Sequence, residues 1–254
     1  MFNSRKYSLS LLLSMLTILT GYSQQFQVDS SRNILNLKYK PITGKSFILP
    51  GSLILTGTLL FDSQINKDFQ TNVTPNDLTK KIHIDDYFQF SPAVIAIGLE
   101  ATGVKGKHTT LQTSIIYVMS NIILNAVVIP TKHFSQELRP DSSNYLSFPS
   151  GHTTDAFANA ELLRMEYRET QPWLGVVGYA MAVTTGYLRM YNNKHWISDV
   201  IAGAGIGIAS TRLSYLIYEK VYSHIQNKKK SKSNTLLLPT YQNHQLGFNL
   251  VKRF

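Results

Sequence analysis

Six apolar segments, at 46–61, 87–99, 109–130, 154–165, 173–188 and 200–218, constrain this chain more than any other feature. Each is too long for an ordinary strand, is rich in small residues, and lacks the strict alternation of a half-buried strand. They predict an all-α fold, a bundle of about six core helices, and no repeat of fixed period interrupts them. At 254 residues and 43% hydrophobic content, the chain can bury a sizeable core on its own. It has no cysteine, so disulfides and thiolate metal sites are excluded and stability has to come from packing.

The ends read differently from the middle. Arg5 and Lys6 precede an apolar run at 9–19 and the small residues Gly21 and Ser23, the pattern of a secretory signal peptide over 1–23. Residues 24–45 then form an N-terminal extension, 46–222 a helical domain, and 223–254 a basic linker, with "NKKKSKSN" at 227–234, and a C-terminal tail. Short alternating pieces mark both ends. Ile34, Asn36 and Lys38 oppose Leu35, Leu37 and Tyr39, while Leu246, Phe248, Leu250 and Phe254 share one face, so two short β-strands able to pair are expected. The polar stretch 62–91 reads as a connection or lid, and its "HIDD" at 83–86 as a polar loop or helix start.

Of the six apolar segments, only those at 109–131 and 170–188 run for 18 or more residues without a charged side chain, too few for a six-span membrane protein. The expectation is a protein exported to the periplasm or cell envelope, soluble or seated on a membrane surface, with an integral multi-span fold as the alternative. The formal charge is +10, and loss of Arg5 and Lys6 with the leader takes away two positive charges and leaves +8. That balance suits an anionic ligand or an anionic membrane surface; in an exported protein it does not point to nucleic acid.

Between two apolar segments, "TKHFSQELRPDSSNYLSFPSGHTTDAF" at 131–157 gathers cations, a turn and a histidine. Three blocks stand out: Lys132 with Arg139-Pro140, then Pro149-Ser150-Gly151-His152, then Arg189, His195 and Asp199. Lys132, Arg139 and Arg189 supply a point charge and two planar forks that match phosphate oxygens. Ser150 is a fitting helix cap and Gly151 allows close approach, so free amides there can face an anion. His195 and Asp199, at i and i+4, share a helix face, so the carboxylate can hold one imidazole nitrogen and present the other. The set fits phosphoryl transfer with His195 as nucleophile, Asp199 as its orienter and His152 as general acid, and no metal is required. Two bland readings stand beside it: His152, His195 and Asp199 as metal ligands, and the three cations as surface partners of Glu137 and Asp141.

Over roughly 87–218, these blocks resemble the three signature motifs of the type 2 phosphatidic acid phosphatase and vanadium haloperoxidase superfamily. The resemblance implies an all-α core and the same residue roles. Some members are six-span lipid phosphatases and others soluble periplasmic acid phosphatases. It implies a phosphatase without a cofactor, acting on phosphate monoesters or pyrophosphates. Candidate substrates are polyprenyl diphosphate, lipid A phosphate, phosphatidic acid or small esters. In the haloperoxidase branch, His195 would instead ligate bound vanadate. One departure is Leu188, where the family usually has Ser before the motif's Arg.

Overall fold

The structure is a computed structural model that describes residues 41–75, 81–232, 235–242 and 245–252, with side chains up to residue 225. Among the described residues the helical domain holds eight helices. A 3₁₀ turn at Gly44–Phe47 leads into α1 (Ile48–Leu60), followed by α2 (Gln64–Val73), α3 (Asp85–Phe88), α4 (Ser91–Ala101) and α5 (Thr110–Ser135). Beyond the long loop lie α6 (Gly151–Tyr167), α7 (Trp173–Tyr191) and α8 (Ile197–Lys232). The expected signal peptide and the N-terminal alternating piece lie outside the described residues.

Local chemistry sets several helix starts. Ser63 accepts from the Asn66 amide at 3.2 Å to cap α2, and Thr109 forms a capping box with Gln112 at the head of α5. Ser150 caps α6 by accepting from the Thr153 amide. At α8, Asp199 reaches back to accept from the Trp196 amide at 2.9 Å.

α6 is buried on nearly every face and packs against α4, α5, α7 and α8, while α1 lies along α8. The main core combines Ala93, Ala96, Ile116, Leu162, Leu163 and Tyr215 with their neighbours. Small residues let the helices approach closely: a Cβ at Gly207 would overlap the Thr154 carbonyl oxygen of α6. Buried charges are tied across helices. Glu161 accepts from Arg164 and Arg212, each at 2.6 Å, and from the Tyr179 hydroxyl at 2.6 Å, so its charge is not left alone in the interior.

Several expectations are corrected. Eight helices replace six, because α2 and α3 form within the stretch read as a lid. α2 escapes a search for apolar periodicity because its buried face is polar: Asn66 and Gln70 are buried, whereas Ile65 and Phe69 are exposed. The helix α8 runs to Lys232, through the boundary at 222/223 and most of the basic segment read as a linker. The C-terminal strand β2 (Gln245–Lys252) pairs antiparallel with β1 (Thr235–Gln242), its own neighbour in sequence. The helical domain itself contains no strand among the described residues.

Among the described residues two helices are long and apolar enough to cross a membrane, α5 and the Ile197–Ile225 part of α8; Gly44–Leu60 and α2, bent by 95°, make a third if taken as one broken span. The 170–188 segment, most of which forms α7, is not one of them. Freedom from charge is not apolarity, and its Gly, Thr and Tyr residues keep its mean hydropathy low.

Candidate active site

The three sequence blocks meet at one end of the bundle because each lies at a helix end pointing the same way. Lys132 sits in the last turn of α5, Arg139 in the loop that follows, and Ser150, Gly151 and His152 at the start of α6. Arg189 is in the last turn of α7, His195 just before α8, and Asp199 in the first turn of α8.

His195 and Asp199 form a buried couple, with His195 Nδ1 3.1 Å from Asp199 Oδ2. The carboxylate is itself held by the Ser147 hydroxyl at 2.5 Å and the Trp196 amide at 2.9 Å. The Ser150 amide donates to the Asp199 carbonyl at 3.1 Å, which ties the start of α6 to the start of α8. Lys132 Nζ donates to the carbonyls of Leu146 (2.7 Å) and Ser147 (3.2 Å), fixing the loop that carries Ser147. Because Nδ1 faces the carboxylate, Nε2 is the nitrogen left for chemistry.

Electrostatics follow from this crowding. Burial is the largest influence on His195 and drives its pKa down to about 4, against the hydrogen bond and charge of Asp199 and helped by Lys132 and Arg189. The imidazole is therefore neutral at physiological pH. Burial and then Arg189 lower the His152 pKa, while Asp86 and Asp85 oppose them. Both imidazoles thus feel the same guanidinium. Arg139 is also lowered, first by burial and then by Arg189. The Nε–H groups of Arg139 and Arg189 are buried without a hydrogen-bond partner. Buried donors on charged groups are rarely left so, and two on adjacent forks fit an anion's oxygens.

The surface-pair reading of the cations does not fit this geometry. Asp141 pairs with Lys194. Burial, then the hydrogen bond and charge of Asp199, push the Glu137 carboxyl up to about 10, so at neutral pH it is a neutral acid beside Asp199 and not a counter-ion.

Sequence reasoning missed three residues. Asp85, buried, accepts from Arg189 Nη1 at 3.0 Å, and Asp86 Oδ1 lies 3.1 Å from His152 Nε2. Both belong to the "HIDD" stretch, and two adjacent acids beside a histidine were the only available signal. Ser147, which holds Asp199, carried none.

The family model of the PAP2 superfamily matches residues 113–223, the stretch that supplies every residue of the three blocks. Over that stretch the chain carries the PAP2 superfamily sequence. Among curated relatives, the lipid A 1-phosphatase of Porphyromonas gingivalis is 35% identical over 140 residues, covering 55% of this chain and 32% of that protein. The undecaprenyl-diphosphatase of Sulfolobus acidocaldarius is 36% identical over 92 residues, covering 36% of this chain and 40% of that one. The chain therefore spans less than half the length of these two relatives. Among solved structures, LpxE of Aquifex aeolicus aligns at 21% identity with a TM-score of 0.46, covering 61% of this chain and 96% of that one.

Proposed function

We propose that this PAP2 domain hydrolyses phosphate monoesters or pyrophosphates of lipids at the cell envelope through a phosphohistidine intermediate, without a metal. One observation carries the reading: two buried, unpartnered guanidinium N–H groups beside a buried His–Asp couple. The names of both curated relatives specify lipid phosphates, which supports a lipid substrate here.

The steps follow from the geometry. Lys132, Arg139 and Arg189 neutralise the phosphoryl oxygens, with the free amides of Gly151 and His152 at the head of α6. Asp199 holds the His195 Nδ1–H, and Nε2 attacks phosphorus in line with the leaving oxygen. As the P–O bond breaks, His152 protonates that oxygen and an alcohol, or a phosphate from a pyrophosphate, departs. Water then attacks phosphorus as His152 takes its proton, the N–P bond breaks with its electron pair returning to Nε2, and phosphate leaves with His195 neutral again.

Purified protein given an aryl phosphate in the presence of chelator is expected to release phosphate and to be inhibited by vanadate. His195→Ala is expected to lose at least about a hundredfold in kcat/KM, the usual cost of removing a catalytic group. Undiminished activity in that variant removes His195 as nucleophile. Activity that vanishes in chelator and returns with a divalent ion replaces this mechanism with a metal-dependent one.

A further inference from the structure

His195 is not the only imidazole paired with a carboxylate at this end of the bundle. His152 Nε2 lies 3.1 Å from Asp86 Oδ1, and Asp86 comes from α3, well before the first sequence block. We propose that Asp86 is a positioning residue for His152, holding Nε2 so that Nδ1 is the nitrogen offered to the leaving oxygen. This rests on the assignment of His152 as general acid.

The position of Asp86 is set from three sides. Its neighbour Asp85 is buried and takes Nη1 of Arg189 at 3.0 Å. Before α3, the Ile82 amide and carbonyl bond the Asn192 side chain at 3.1 and 2.7 Å, attaching the segment to the end of α7. After it, the Gln89 carbonyl accepts from Asn159 of α6 at 2.7 Å, two turns on from His152. A carboxylate anchored to both α6 and α7 fixes the distance between acid and phosphoryl pocket. The two couples use opposite ring nitrogens: Asp199 takes Nδ1 of His195, whereas Asp86 takes Nε2 of His152.

The charges around His152 give the direction of the effect. Arg189 faces it and favours the neutral ring, as burial does; Asp86 and Asp85 favour the protonated one. His83 lies behind Asp86, 3.7 Å from its other oxygen. A general acid has to carry its proton, so losing Asp86 moves the alkaline limb of the pH profile to lower pH.

The experiment compares kcat/KM against pH for wild type, Asp86→Asn, Asp86→Glu and His152→Ala, on 4-nitrophenyl phosphate and on a simple alkyl phosphate. The nitrophenolate leaves without help, while the alkoxide needs a proton. For Asp86→Asn the expected result is a loss of about tenfold on the alkyl ester, less than about threefold on the nitrophenyl ester, and an alkaline limb shifted to lower pH. Asp86→Glu recovers most of the alkyl activity. Equal losses on both esters with an unmoved limb make Asp86 merely structural and overturn the proposal, as does a variant identical to wild type. His152→Ala reads the underlying assignment separately: an equal loss on both esters removes His152 as the acid. A wild-type protein that turns over neither ester ends the phosphatase reading and this proposal together.

Discussion

Asp85 and Arg189 lie 104 residues apart in sequence, yet Arg189 Nη1 donates to a buried carboxylate across 3.0 Å. Removing one partner of a buried pair strands the other, at a typical cost of about 3–5 kcal/mol. Asp85→Ala is therefore expected to lower the denaturant midpoint strongly in phosphate-free buffer. If Arg189 faces the anion pocket, millimolar phosphate or vanadate restores much of the loss, since either anion supplies the missing charge to the native state alone. Destabilisation indifferent to phosphate would place Arg189 outside that pocket. At this scale the sequence was legible only where chemistry is spaced locally. His195 and Asp199 sit one helical turn apart, and Ser150 to His152 share a helix start, so their relation could be read directly. Asp85, Asp86 and Ser147 reach their partners through tertiary folding, and a carboxylate in a polar loop looks the same whether it meets water or a guanidinium.

The helices obey the same division. Expected segments found their counterparts where an apolar stripe faces the core. They failed at α2, which turns its polar side inward: Asn66 exchanges hydrogen bonds with Ser198 at 2.9 and 3.1 Å, and Gln70 bonds the Met190 carbonyl at 2.9 Å. Periodicity marks a buried face only when burial means apolar contact. The small residues of α8 have a different role, setting how near α6 can come. A methyl at Gly207 would meet the Thr154 carbonyl and lie 2.8 Å from the Ala158 nitrogen, both backbone atoms that cannot swing away. Gly207→Ala is expected to cost about 1–3 kcal/mol by overpacking. It should also reduce kcat, because α6 carries His152 and α8 carries Asp199, and the Ser150–Asp199 backbone bond joins them. Unchanged stability in a urea titration would mean that the two helices can part freely at this level.

At the scale of the molecule, the long helices and the site make one geometric statement. α5 has 26 residues, roughly 39 Å at 1.5 Å per residue, against a hydrocarbon core of about 30 Å. Its outward residues Leu111, Ile115, Val118, Ile122 and Ile129 are exposed and recur at helical spacing, a stripe with no core to face. The site occupies the end where α5 finishes and α8 begins, so with both helices across a bilayer it would open at the level of the headgroups, where a lipid presents its phosphate. A chain with a formal charge of +10 would also be drawn to anionic headgroups, and that attraction alone would be cancelled by salt. The two ways of meeting a membrane therefore separate cleanly. Spanning helices predict a protein that stays in the membrane pellet through high salt and alkaline carbonate, leaves it only with detergent, and hydrolyses a lipid phosphate in vesicles. Release by salt alone would confine α5 and α8 to a surface-seated bundle, and the exposed stripe of α5 would then need a protein partner to cover it.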